Sequence, residues 1–235
     1  MSENDAKNRI TVCPGANFTL TVEEITWLKA RVADYDLVML QLELPMEVVE
    51  SVAAWAYEAG VPVMLNPAPA AALSDTLLGH VTYLSPNEHE ATLMSGQQIA
   101  VGNGINREDM HRAARYFMQR GVKNLIVTLG ANGSVCVNQN GTVYTPSVHM
   151  DKIIDTTAAG DSFVAAFCTG LTAGLDERQA LAFASHTAAI TVSRMGAMPS
   201  LPTITEVKAL IVEKGCRGID TNILDMLERS GTSTK

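Results

Sequence analysis

Two hydrophobic periods alternate along this chain. Between residues 20 and 130, short runs of β-prone apolar residues are separated by stretches in which apolar side chains recur every three or four positions. Thr21 followed by Glu24 makes a capping box, and with Ile25, Leu28 and Val32 behind it predicts a helix over about 22–33. Residues 37–40 predict a buried strand. Pro45 sits at a first-turn position, and Val48, Val49, Val52 and Ala56 lead to a helix stop at Gly60. Further strands are predicted over 61–65, 81–84 and 124–128. Helices are predicted over 87–95, ending at Gly96, and from the N-cap Asn106 to Arg120, with Gly121 as the stop. Alternating strands and helices of this kind define an α/β protein around a mainly parallel sheet.

After Gly130 the pattern changes. Ser134 to Val137 and Thr142 to Thr145 flank Gln139-Asn140-Gly141, which predicts a hairpin and an antiparallel edge. The rest reads as helix over 160–172, 176–195 behind the cap Asp176, and 203–213, with fraying over 230–235. Neither an internal repeat nor a low-complexity linker interrupts the chain, so one domain is expected over 1–235. At the start, a polar stretch from Ser2 to Arg9 runs directly into Ile10-Thr11-Val12, leaving no room for the opening βα units such sheets usually carry.

Composition narrows the function. The 235 residues carry 17 Lys+Arg against 25 Asp+Glu, a net charge of −8, with 47% hydrophobic residues. An acidic chain lacks the basic surface that nucleic acid or an anionic membrane requires, although a local anion site remains open to it. The apolar run 163–167 is far shorter than the roughly 20 residues of a membrane span, and residues 1–9 lack the apolar core of a signal peptide, so a cytoplasmic protein is expected. Cys13, Cys136, Cys168 and Cys216 are widely spaced, without a C-x-x-C pair or a histidine at ligand spacing, and read as reduced thiols.

The sharpest chemistry lies in Asp155-Thr156-Thr157-Ala158-Ala159-Gly160-Asp161, between a β-like Ile153-Ile154 and an apolar helical run. A turn of small residues that opens a helix directs backbone N–H groups outward at the positive end of the helix dipole, which makes an anion hole for a phosphate. An acid in the first turn, Asp161, would stand beside the bound phosphoryl group, placed to take a proton from an attacking hydroxyl. The same residues also make an ordinary strand-to-helix turn with acidic caps.

This segment resembles the D-T-x-A-A/G-G-D signature of the ribokinase-like (PfkB) sugar kinases. The resemblance continues in order and spacing through Gly15-Ala16-Asn17, Gln41-Leu42-Glu43, Asn66-Pro67-Ala68-Pro69-Ala70, Pro86-Asn87-Glu88-His89-Glu90, Thr128-Leu129-Gly130 and the loop from Arg194 to Ser200, covering about residues 8–213. Gln-Leu-Glu with Asn-Pro-Ala-Pro-Ala is more specific to the ribokinase branch than the shared signature. The resemblance implies a three-layer α/β/α fold lacking the family's leading strands and small β-sheet lid, the part that carries a Gly-Gly sugar segment and a dimer clasp. A homodimer would belong to the full-length form.

By position, the family's roles fall on the following residues. Asp161 is the base that touches the sugar hydroxyl, and the N–H groups of Ala158, Ala159 and Gly160 stabilise the transferred group. Glu43 binds a sugar hydroxyl. Asn87, Thr128, Gly130, Gly133, Ala159, Gly160 and His186 contact ATP, and Glu90 holds Mg²⁺ through water. Asp155, Thr157, Thr191, Arg194, Gly196 and Ser200 enclose K⁺. The implied reaction moves the γ-phosphoryl group of ATP to the 5-hydroxyl of a pentose, D-ribose first among them. Taken alone, Asn87 and Glu90 are a helix cap with an acidic first turn, Asn66 between turn residues is a rigid turn, and Gly196 before Pro199 is a helix stop. The alternatives to a ribose kinase are a nucleotide-binding fragment without turnover and a PfkB kinase for another sugar or nucleoside.

Overall fold

The computed structural model describes residues 13–102 and 104–232; the Ile10-Thr11-Val12 run, the polar stretch before it and residues 233–235 lie outside them. Contacts gather the chain into two compact units, one over residues 13–144 and one from Thr145 onward.

In the unit over 13–144, α1 (Thr26–Lys29) precedes β1 (Val38–Gln41), α2 (Met46–Glu58), β2 (Val63–Asn66), α3 (Asp75–His80), β3 (Tyr83–Leu84) and α4 (Glu88–Ser95). The two-residue strands β4 (Val101–Gly102) and β5 (Gly104–Ile105) pair with each other, and α5 (Arg107–Met118), β6 (Asn124–Thr128), β7 (Ser134–Asn138) and β8 (Gly141–Thr145) follow. The main sheet runs β1-β2-β3-β6-β7-β8 among the described residues. Its first four strands are parallel, while β7 runs antiparallel to β6 with Thr128 opposite Ser134, so the expected antiparallel edge is present.

β2 is buried at every position, as a parallel strand covered on both faces must be. Against the sheet α2 buries Val48, Val49, Val52, Ala53 and Ala56, and α5 buries Met110, Ala113, Ala114 and Phe117, each at helical spacing. The helix expected over 22–33 is the main correction. The Thr21–Glu24 box does form, with Thr21 N–H donating to Glu24 Oε2 at 2.9 Å. Only one α turn and flanking 3₁₀ turns follow, because Ile25 and Leu28 are half-buried and Trp27 is exposed. A short helix takes its stability from a packed face, and here that face is too thin.

Gly121 shows where the chain has no choice of residue. Its φ is +107°, and a Cβ there would stand 2.7 Å from the Gly79 Cα, which is backbone and cannot yield. Gly121→Ala is expected to cost about 2–4 kcal/mol, from the strain of an L-residue at positive φ plus overpacking. Urea unfolding would measure it; a change below about 0.5 kcal/mol would mean that the two backbones separate freely.

From Thr145 onward the described residues fold into α6 (Ala159–Ala173), α7 (Glu177–Val192), α8 (Ile204–Glu213) and α9 (Thr221–Thr232). α6 and α7 pack closely because Gly170 has no side chain: a Cβ there would meet Leu175 at 3.1 Å and Ala180 at 3.4 Å. α7 stops at Val192 rather than Met195, since the Ser193 and Arg194 N–H groups tighten onto Ile190 and Thr191 carbonyls in a 3₁₀ turn. α9 continues through residues expected to fray. It is tied to α8 by Lys208, which pairs with Glu228 at 2.8 Å and with Asp225. Among the described residues no helix is long and apolar enough to cross a membrane.

Candidate active site

The signature segment begins with a carboxylate whose oxygens are already directed. Asp155 Oδ1 accepts the Thr157 N–H at 2.9 Å and the Thr157 hydroxyl at 2.7 Å, and Oδ2 accepts the Gly196 N–H at 3.0 Å. The first pair winds the chain into a tight turn; the last draws in the loop that follows α7. Ala158 then takes φ 62°, ψ 9°, the one positive-φ residue other than glycine among the described residues. That conformation costs an L-residue about 1–2 kcal/mol. Strain of this sort persists where surrounding bonds over-determine it, and it clusters at ligand clamps.

Ala158 is the N-cap of α6 and contributes no side-chain cap, so the helix start is left open. Of the three N–H donors expected there, Ala159 is already engaged, donating to the Thr156 carbonyl at 3.2 Å. Gly160 and Asp161 supply the N–H groups of the first turn that have no partner within the turn. Both residues are exposed, and a Cβ built on Gly160 meets nothing within 4 Å. The Asp161 carboxylate stands in the same first turn.

The residues expected around a monovalent cation lie in this same unit. Thr191 and Ser200 are fully buried, and each gives its hydroxyl proton to a carbonyl, Thr187 at 3.1 Å and Ala197 at 2.6 Å. A hydroxyl oxygen whose proton is spent in this way presents lone pairs, the polarity a cation needs. With the Asp155 carboxylate and loop carbonyls the donor set is oxygen only, which fits K⁺. Arg194 turns its guanidinium away to Glu206 Oε1 at 2.6 Å. That contact and the Thr203 N–H and hydroxyl hold the Glu206 carboxyl at a pKa of about 2. Glu206 is a residue the sequence analysis passes over, although Thr203-x-x-Glu206 is a visible capping box.

In the unit over 13–144, the remaining motifs are stitched side by side at the carboxyl ends of the parallel strands, where open α/β sheets bind ligands. The Leu42 N–H donates to the Ala68 carbonyl at 3.0 Å, joining Gln41-Leu42-Glu43 to the Asn-Pro-Ala-Pro-Ala segment. The buried Asn66 donates from Nδ2 to the Ser85 carbonyl at 2.7 Å, joining that segment to the end of β3. Thr128 donates to the Pro86 carbonyl at 3.1 Å and bridges to Asn87, joining β6. Glu43 is exposed beyond β1, with Gly130 and Gly133, both at positive φ, bounding the turn after β6.

Asn87 and Glu90 form a complete capping box, each side chain meeting the other's backbone N–H at 2.8 Å. This is the plain structural role of the pair, and it leaves Asn87 Nδ2 and Glu90 Oε1 for a ligand. Burial raises the Glu90 pKa above the ordinary carboxylate range. No group of three or more His, Cys, Asp or Glu side chains placed to hold a metal ion is assembled among the described residues. A Mg²⁺ ion near Glu90 would therefore take its other ligands from water and phosphate, its usual coordination. Two buried hydroxyls lack partners at this same edge, Ser85 after β3 and Ser134 opposite Thr128.

His186 lies on the buried side of α7. It is 5% exposed, Nδ1 lies 2.7 Å from the Ala182 carbonyl one turn back, and burial lowers its pKa. The carbonyl requires Nδ1 to carry the proton, which leaves Nε2 as the acceptor nitrogen of the neutral ring. Cys168, on α6, is buried with its thiol pushed up to about 12, which removes it from nucleophilic chemistry at neutral pH.

The parallel sheet of one unit carries its motifs at the strand ends, and the other unit opens a helix with a strained small-residue turn beside an acid. The chain belongs to the pfkB family of carbohydrate kinases, whose profile matches residues 1–204. It is 36% identical over 206 residues to a ribokinase of Schizosaccharomyces pombe, covering 87% of this chain and 64% of the relative. The ribokinase of Thermotoga maritima superposes with a TM-score of 0.77 at 35% identity, over 88% of this chain and 66% of that one. The ribokinase of Arabidopsis thaliana complexed with ribose and ATP gives 0.79 at 29% identity over the same shares. The chain thus spans somewhat less than two thirds of the length of the curated relatives it matches.

Proposed function

We propose that this chain is an ATP-dependent sugar kinase whose substrate is D-ribose and whose product is ribose 5-phosphate. The observation that carries this reading is the signature turn, in which a strained Ala158, open N–H groups at Gly160 and Asp161, and a first-turn carboxylate stand together. The ribose preference is supported by the ribokinases among its relatives and by the ribokinase-type segments at Gln41-Leu42-Glu43 and Asn66 to Ala70.

In the proposed reaction the 5-hydroxyl oxygen of ribose bonds to the γ-phosphorus as the bond to the β,γ-bridging oxygen breaks, and the hydroxyl proton passes to Asp161. ADP leaves as the second product. The N–H groups of Gly160, Asp161 and Ala158 meet the charge on the transferred group, in the manner of an oxyanion hole. Glu43 accepts a sugar hydroxyl. Asn87, Thr128, Gly130 and Gly133 line the nucleotide, His186 packs behind its base, and Glu90 orients the waters of Mg²⁺. When bound, Mg²⁺ would supply charge neutralisation on the phosphates, and K⁺ held by Asp155, Thr191 and Ser200 would add to the local positive field. An enzyme drawing on ATP and a free sugar belongs in the cytoplasm.

The test is a coupled assay of ADP release with D-ribose, 2-deoxyribose and fructose, in K⁺ and in Na⁺ at one ionic strength, with ATP binding measured by calorimetry on the same preparation. Ribose-dependent release, faster in K⁺, is expected. ATP binding without release on any sugar would make the chain a nucleotide-binding module instead. Release on another sugar alone would leave the class and change the substrate.

A further inference from the structure

The loop between α7 and α8 has little apolar packing to hold it. Met195 is 69% exposed and Met198 83%, and Ser200 is the buried residue within it. Inside it, Ser200 bonds back to Ala197 in a 3₁₀ turn, and polar bonds tie the loop to its surroundings at three points. In the middle, the Gly196 N–H donates to Asp155 Oδ2 at 3.0 Å. At the start, Arg194 donates to Glu206 Oε1 at 2.6 Å. At the end, the Thr203 N–H and hydroxyl donate to Glu206 Oε2 at 2.7 and 3.0 Å.

Both ends of the loop therefore meet on one carboxylate. We infer that Glu206 is a positioning residue of the phosphotransfer site, closing the 194–203 loop at both ends and so holding Gly196 against Asp155. Glu206 touches no reacting group; it acts through the loop, and the loop acts through Asp155 on the turn that opens α6. The capping box alone would be served equally well by glutamine, because an N3 amide also accepts the N-cap N–H. What glutamine lacks is the charge facing Arg194. A carboxylate at N3 joins the cap to the ion pair, which an amide does only weakly. Because the pair is partly exposed, at 34% and 42% of the two side chains, its removal should loosen the loop without unfolding the protein.

This inference rests on the phosphotransferase reading for its consequence, though not for its geometry, and the experiment separates the two. Hydrogen exchange would be followed peptide by peptide in the 235-residue chain and in Glu206→Gln, with MgADP affinity measured by calorimetry in K⁺ and in Na⁺. Exchange over 193–202 is expected to rise tenfold or more, with the α6 and α9 helices unchanged and the melting temperature nearly so. MgADP affinity should fall three- to tenfold, and the difference between the two salts should shrink. Arg194→Gln leaves the capping box untouched and should reproduce both effects, with the double variant no worse than either single one. If Glu206→Gln fails to fold, Arg194→Gln alone decides. Unchanged loop exchange overturns the inference, as does raised exchange with unchanged MgADP affinity. A parent chain that binds no nucleotide overturns the phosphotransferase reading, while the exchange data still decide whether Glu206 closes the loop.

Discussion

Asp161→Asn is expected to lower the turnover of ribose by about 10²–10⁴-fold, the usual contribution of a general base, with ATP affinity nearly unchanged. The substitution keeps size and shape in the first turn of α6 and removes the carboxylate that would take the hydroxyl proton. Loss of a first-turn acid also weakens the helix start, but by only about 0.3–1 kcal/mol, so the fold survives. The two effects are read by different instruments. Turnover comes from the coupled assay and stability from urea unfolding, and a kcat within threefold of the parent would take Asp161 out of the base role.

Most of the parallel sheet was legible because its strands are continuous apolar runs and its helices carry caps that do in the structure what their spacing predicts. Asn87 and Glu90 form their box, and Asn106 accepts from both Glu108 and Asp109 N–H. Four elements are not legible in the same way, for different reasons. α3 has only six residues, so Ser74, which does cap it, heads too short a period to stand out. β4 and β5 are two residues each, too short for any alternation to show. α9 carries Ile223, Leu224 and Leu227 at helical spacing, a signal present in the sequence but running into a polar end, 230–235, that reads as frayed. The 22–33 segment errs in the opposite direction: its cap is real, but a cap cannot extend a helix that has too little to pack against.

For the candidate site, the sequence carried residue types and order but not the state of individual hydrogen bonds. The spacing of Asp155, Gly160 and Asp161 announces an anion-binding helix start, yet it cannot say that the Ala159 N–H is spent on the Thr156 carbonyl, or that Ala158 absorbs the strain. His186 shows the same limit. A histidine midway along a helix fits a ligand wall and a packed core equally well on paper, and the Ala182 carbonyl 2.7 Å away shows its Nδ1 satisfied within its own helix. Glu206 was hidden for another reason: its partner Arg194 is twelve residues away, across a loop whose path no local pattern fixes.

Gly160→Ala should move stability and activity in opposite directions. The position is helical with ordinary φ, since Gly160 is not among the positive-φ glycines, and a Cβ there meets no atom within 4 Å. Nothing in the fold therefore requires glycine, and alanine should hold or raise stability by up to about 1 kcal/mol, because it removes a helical glycine's entropy cost. A phosphate approaching the Gly160 and Asp161 N–H groups, however, comes close to the helix start, where an added methyl intrudes. Removing one such oxyanion-type interaction typically costs about 10²–10³-fold in kcat, and a loss of roughly that size in kcat/KM for ATP is expected here. Unfolding in urea and steady-state kinetics on the same preparation measure the pair of effects. A variant that is both more stable and fully active would show that no ligand reaches the opening of α6, and the anion site would have to lie elsewhere in the molecule.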